Sequence, residues 1–353
     1  MLNGINTYTG PTTVRQGKLI VRKAASLYNA APADWTPAKI TVFNTAAIHL
    51  NVGGKDQFTS AQAGTLLNNL TTGVHSGGLM TGSIFALDTS DAGDVQDLAV
   101  AIADAKGPGR GSFTVKKCGT GTLQLSGNNT YTGRTILEGG TLSVASLNRV
   151  VGGKSSGSLG APTTLESGMI DVSGNCTLLY TGKGEVSDRV IDLTGQKQTV
   201  TLDHSGSGLL KLTSPFDISG FGHSKTLVLQ GSTTGTSELA GNIDDPYDRR
   251  KAATMALTKT GTGLWVLSGT NTFTGPTTVT EGTLSLANPH GLSADAEVTV
   301  AENAILNLAF KGEMQVMGLI LDGKAQPPGK YSATSTPNSI RGAGVLNVKP
   351  ATE

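Results

Sequence analysis

Apolar and polar residues alternate in short runs along this chain: Leu123-Gln124-Leu125, Leu142-Ser143-Val144, Leu284-Ser285-Leu286 and Val298-Thr299-Val300. A period of two sends every second side chain to one face, so each run predicts a short strand with one buried face. Leu123, Leu125, Leu142, Val144 and Leu284 are the predicted inward positions, and Thr141 and Thr283 point outward on the same strands. Glycines separate the runs and supply positive φ or close backbone approach at corners, while the neighbouring Asn and Thr form turns through local side-chain hydrogen bonds. Tyr8, Tyr131 and Phe273 each follow an Asn-Thr pair and are expected to plug a corner. Helical spacing is rare. In 59–70 a Thr or Ser cap precedes apolar positions 63, 66, 67 and 70, which predicts a helix. The segment 94–103 fits a short helix or a strand. Both fall in 53–110, read as an insertion with short helices.

Self-comparison adds the larger organisation. The pattern L-x-G-x-N-T-[YF]-T-G, then T-x-[VL], then G-x-L-x-[VL] recurs without a gap in three copies, at 2–21, within 117–144 and within 259–286. The second and third copies share a lead-in, Lys117-Cys118-Gly119-Thr120-Gly121 against Lys259-Thr260-Gly261-Thr262-Gly263. The first copy has no such lead-in, so the chain is expected to be a piece of a longer protein. Downstream, Ile40-Thr41-Val42 and Ile48-His49-Leu50 match Val298-Thr299-Val300 and Leu306-Asn307-Leu308 in register. Copies this far apart each contain several coils of a solenoid, whose single coils run ~20–45 residues. Strand, glycine corner, strand, glycine corner, with almost no helix, predicts an all-β fold, a parallel β-solenoid continuous over 1–353. With coils of ~20–25 residues rising ~4.8 Å each, it would be a rod on the order of 70–85 Å. A β-sandwich has similar strands but gives no reason for one pattern to recur at unequal spacing.

Composition sharpens this reading. Gly is 48 of 353 residues, roughly twice the ~7% of an average chain, and charged residues are only 15%. Lys+Arg 27 against Asp+Glu 26 leaves a net charge of +1 with no basic run, which argues against nucleic acid as a partner. No stretch approaches the ~20 apolar residues of a membrane span, and the first residues show no export signal.

At Leu123 to Val144, and again in the third copy with Phe273 for the usual Tyr, the chain resembles the autotransporter-associated β-strand repeat of bacterial surface proteins. The resemblance implies a right-handed parallel β-helix in an exported passenger, with a structural or secretion-assisting role. It also implies the extracellular face of the bacterial outer membrane as the location.

Candidate chemistry is sparse. Cys118 and Cys176 either pair or remain as two buried thiols; the third copy has Thr260 where Cys118 stands, so the repeat does not require a thiol, and free cysteines are expected. Asp88, Asp91, Asp94 and Asp97 lack the D-x-[DN]-x-[DN]-G order of a calcium loop and read as turn and cap carboxylates. Asp244, Asp245, Asp248, Arg249, Arg250 and Lys251 form the densest charged cluster; as sequence neighbours around Pro246 they suit an exposed loop better than catalysis by facing coils. His49, His75, His204, His223 and His290 show no zinc spacing. No catalytic, cofactor-binding or metal residue is assigned. The expected function is a non-catalytic stalk or passenger segment supporting export and display, with the rest of a parent chain, and host or matrix glycans or proteins, as partners. The rival readings are a carbohydrate-active β-helix enzyme and a ligand-binding adhesin module.

Overall fold

The computed structural model describes residues 1–72, 76–220, 222–232, 235–249 and 253–350, in two compact units, Met1–Cys176 and Thr177–Glu353. In the first unit the strands Lys18–Val21, Ala47–Asn51, Ile84–Asp88, Thr114–Cys118, Thr135–Leu137 and Ile170–Val172 lie side by side, all parallel. Gln96–Asp97, Thr122–Leu125 and Gly140–Val144 form a second parallel set, and Thr12–Val14, Ile40–Val42 and Gly78–Leu79 a third. Strands adjacent in sequence fall in different sheets, and each pairs with a strand one circuit of chain later. That is the connectivity of an all-β solenoid; a sandwich would join antiparallel neighbours by hairpins.

The second unit repeats the arrangement. Thr199–His204, Lys225–Gln230, Met255–Lys259, Thr277–Val279, Glu297–Val300 and Gly318–Leu321 form one parallel sheet. Glu185–Ser187, Leu209–Leu212, Thr236–Leu239, Leu264–Leu267, Thr283–Leu286, Ile305–Leu308 and Ile340–Gly342 form another. Only near the C-terminus do antiparallel pairs occur among the described strands, Lys324–Ala325 on Gly318–Leu321 and Gly329–Tyr331 on Val345–Val348.

The in-register pairing stacks like residues into inward columns. Val21, Leu50, Leu87, Lys117, Leu137 and Val172 make one, and Leu202, Leu229, Lys259, Val279, Val300 and Leu321 the corresponding one in the second unit. Leu123, Leu125, Leu142, Val144 and Leu284 are buried, as their alternation predicts. Ser143 and Ser285, predicted outward by the same alternation, are also buried, because neighbouring coils cover them; Asn307 Nδ2 donates to Ser285 Oγ at 2.9 Å.

The predicted helix forms over Ser60–Thr71. Thr59 caps it, with Gln62 completing a capping box, and Ala63, Leu66, Leu67 and Leu70 are buried. It is the one α-helix among the described residues, and in 94–103 the strand alternative holds. In 94–103 only the strand Gln96–Asp97 is regular. The reason lies in its backbone, which is engaged by other coils: Leu98 N–H donates to Gln124 O, and Ile102 N–H to Asn129 Oδ1. Three short 3-10 turns, Ala24–Ser26, Tyr28–Ala30 and Pro32–Asp34, were not foreseen in the sequence. Tyr28, Asn29 and Ala30 have φ of 52°, 54° and 55°, an uncommon left-handed run. It is held by the Tyr28 hydroxyl, which donates to Gly10 O and Lys39 O at 3.0 and 3.1 Å.

Candidate functional site

The residues that recur among the copies meet at two kinds of corner. At the first, Lys117 and Lys259 occupy the same position in aliphatic columns and are 1% and 0% exposed. Burying an ammonium is costly unless every donor is met. Lys117 Nζ donates to Cys118 O at 2.8 Å, Gly119 O at 2.7 Å and Gly139 O at 3.0 Å. Lys259 Nζ donates to Thr260 O, Gly261 O and Glu281 O at 2.8, 2.6 and 3.1 Å. Each lysine therefore clamps its own corner to the corner of the following coil. Burial pulls both ammonium groups down to about 8, and the carbonyl cage keeps them protonated at neutral pH. The corner requires glycine: Gly119 and Gly261 have φ of 79° and 70°, and Gly140 and Gly282, which pack on them, 64° and 66°.

The second corner is built by the Asn-Thr-[Tyr/Phe]-Thr-Gly string. Asn129 Nδ2 donates forward to Ser158 O at 2.7 Å, while its Oδ1 accepts Ile102 N–H from the preceding coil at 2.8 Å. Asn271 does the same with Gly291 O at 2.8 Å and Ile243 N–H at 2.9 Å. Each Asn is thus a staple through three coils. Two residues after Ile102 and Ile243 stand Asp104 and Asp245. Asp104 accepts Thr132 N–H and Oγ1–H at 2.8 and 2.6 Å; Asp245 accepts Thr274 N–H at 3.0 Å and Oγ1–H at 2.7 Å. Tyr131 and Phe273 plug this corner and are fully buried. The Tyr131 and Thr135 hydroxyls meet at 2.8 Å.

The other candidate residues are dispersed. Asp245, in the charged cluster, also accepts Met255 N–H at 2.7 Å, and Asp244 accepts the Thr272 hydroxyl, so both serve the third copy's corner. Arg250 and Lys251 lie outside the described residues. Asp88 pairs with His49 at 3.2 Å and Ser90, Asp91 accepts from Gln57, and Asp97 accepts from Ser126. Asp94 Oδ atoms join no such cluster, though its carbonyl accepts from Gln96. The His49 hydrogen bond holds the Asp88 carboxyl well below the usual range. Among the described residues no three His, Cys, Asp or Glu groups are placed to hold a metal ion. Cys118 and Cys176 are free and buried; burial pushes their thiols up to about 12 and about 11, which makes them poor nucleophiles.

His223 and His290 are exposed, and His75 lies outside the described residues. His204 Nδ1 and Ser237 Oγ are 2.7 Å apart beside the Tyr180 ring, a pairing that the sequence spacing hid. With His204 and Ser237 at 0% exposure and the imidazole pushed down by burial, no substrate reaches the pair. The sequence reading also passed over Lys117, Lys259, Asn129, Asn271 and Asp104 as interacting groups, and took Asp245 for part of an exposed loop. The signal for the Lys and Asn was present in their repetition at matched positions.

The family model for the passenger-associated-transport repeat matches residues 1–21, 116–144 and 257–286, the stretches that contain the two corners. The chain is also 31% identical over 157 residues to the adhesin BmaC autotransporter of Brucella suis biovar 1 (strain 1330), a match covering 44% of this chain and 4% of that protein. No solved structure matches. The three repeat matches fall on the three sequence copies, so the chain carries passenger-associated-transport repeats and is similar, over less than half its length, to a small part of an autotransporter adhesin.

Proposed function

We propose that the chain is a non-catalytic structural segment of an autotransporter passenger, wound as a right-handed parallel β-helix and displayed on the extracellular face of the outer membrane. The observation that carries this reading is the use of the polar residues. The buried Lys and Asn of the repeats, and the half-buried Asp104 and Asp245 ahead of them, are spent on bonds between successive coils. The right-handed sense follows the general preference of parallel strand crossovers. No helix among the described residues is long and apolar enough to cross a membrane. Such coils support export and display mechanically, by giving each arriving coil a bonded neighbour.

Two assays test it. In a strain displaying the parent passenger, Asn129→Leu with Asn271→Leu should lower the surface-exposed amount, measured by protease shaving, relative to total protein. Unchanged display would remove the export role. Purified protein should release no sugar or unsaturated product from a glycan panel; release abolished by Asp245→Asn would establish the enzyme reading instead. A second reading, adhesion to host or matrix glycans or proteins, is favoured by the relative's description as an adhesin. Saturable binding on a glycan or matrix-protein array would support it.

A further inference from the structure

We propose that His204 and Ser237 form an acid-sensitive latch inside the second unit: at neutral pH the pair holds the strands Thr199–His204 and Thr236–Leu239 together, and a proton taken up by the imidazole loosens them. Neither residue belongs to the repeat pattern, and both lie where the fold otherwise places apolar side chains. Val200, Leu202 and His204 are the inward residues of the first strand. On the other sheet Leu210, Ser237, Trp265, Leu284, Leu306 and Ile340 stack as an inward column, in which Ser237 is the one polar member. The two answer each other, His204 Nδ1 to Ser237 Oγ at 2.7 Å. His204 Nε2, equally buried, has no hydrogen-bond partner among the described residues. A neutral imidazole carries one N–H and one lone pair, so this site suits the neutral ring, with the N–H placed on Nδ1 toward Ser237 and the lone pair on Nε2 in the core. Protonation puts a second N–H and a full charge where no acceptor stands.

The charged and titratable groups on the surrounding strands do not relieve this. Tyr180 meets the His204 ring edge-on, with centroids 5.4 Å apart. Its hydroxyl accepts Gly184 N–H at 3.1 Å, and burial, then the Glu185 carboxylate, push the phenol up to about 12, so it carries no charge. Lys211 and Glu238 are spent on each other at 2.8 Å, and Lys225 on the carbonyls of Gly195 and Gln196. On the strand of His204 itself, Asp203 accepts from Ser205 at 2.5 Å and from Gln230 at 2.8 Å. Asp203 and the Ser207 backbone favour the imidazolium, but burial outweighs them and holds the ring below its ordinary value of 6.5. Above 6.5 the ring is neutral in the closed and the open chain alike. Below 6.5 the open chain takes up a proton that the closed chain does not, so each further pH unit of acid multiplies the open population by about ten until the closed ring titrates too. The latch is independent of the export and display reading, which a failed test would leave standing.

Hydrogen exchange read by mass spectrometry on the full chain, at pH 7.5 and pH 5.0 and corrected for the intrinsic rate, tests the latch. Peptides covering Thr199–His204 and Thr236–Leu239 should exchange at least about tenfold faster at pH 5.0, while Ile305–Leu308 in the same unit keeps its rate. His204→Leu with Ser237→Ala replaces both polar partners by apolar groups, and its exchange should be the same at the two pH values. In the unaltered protein the carbon-13 resonance of the His204 ring, assigned by its loss in His204→Gln, should report a neutral imidazole at pH 6.5 and a proton taken up only below it. These two readings on the unaltered protein decide the matter even where the double variant does not fold. A ring that titrates at or above 6.5, acid opening that persists in the double variant, or opening that spreads equally to Ile305–Leu308 would overturn the proposal.

Discussion

Thr277 Oγ1 is buried and has no hydrogen-bond partner among the described residues, and a single atom accounts for this. Thr12 and Thr135, its equivalents, each meet a tyrosine hydroxyl at 2.8 Å, from Tyr8 and Tyr131; the third copy has Phe273. Phe273→Tyr is therefore expected to stabilise the protein by about 1 kcal/mol, and Tyr131→Phe to cost a similar amount, read from denaturant midpoints. A loss in the first variant would show that the hydroxyl does not fit. The buried lysines give a pH signature. Below about 8 each is charged in the folded and unfolded chain alike; between about 8 and the ordinary value of 10.5 the unfolded chain holds a proton the folded chain has released. Stability contributed by this difference rises with pH across that window and is lost as pH falls through 8. Denaturant melts should show the parent gaining on Lys259→Met between pH 8 and pH 10; a gap that narrows would contradict the assignment. These roles were only half legible in the sequence. Lys117 and Lys259 repeat at matched positions, but that their neighbours in the column are Leu87, Leu137, Leu229 and Val279 is fixed by strand register.

Strands in this protein are short, so their stability comes from stacking, and inward truncation should cost far more than outward. Leu142→Ala and Leu284→Ala, at 1% and 0% exposure, are each expected to lose about 2–5 kcal/mol. Thr141→Ala and Thr283→Ala, half-buried on the outer face, should lose much less. Equal losses in urea melts would refute the period-two assignment. In the helix Ser60–Thr71, Thr59 Oγ1 accepts Gln62 N–H at 3.1 Å, and Thr59→Ala should cost about 1 kcal/mol by the same measurement. The helix could be read from the sequence because its cap and its apolar spacing are local. The segment 94–103 could not, because the partners of its backbone, Gln124 and Asn129, belong to another coil.

At the scale of the whole molecule, a net charge of +1 with acidic and basic residues in balance predicts no retardation of duplex DNA in a gel shift at physiological salt; a salt-sensitive shift would reveal a basic face that the count conceals. What the sequence by itself determined is the repeated unit, with its strands, its glycine corners and its resemblance to passenger repeats, and the helix at 59–70. Period-two alternation, positive-φ glycines and capping are properties of a few neighbouring residues, and repetition makes them visible. Tertiary structure alone decided which coil each polar residue bonds, how an ammonium comes to lie in an aliphatic column, and that Asp245 in a charged loop bonds the third copy's corner. Their partners in neighbouring coils stand 20 to 29 residues away along the chain. Parallel stacking sets that separation through the length of each coil, and the insertions and loops that set coil length leave no periodic trace in the sequence.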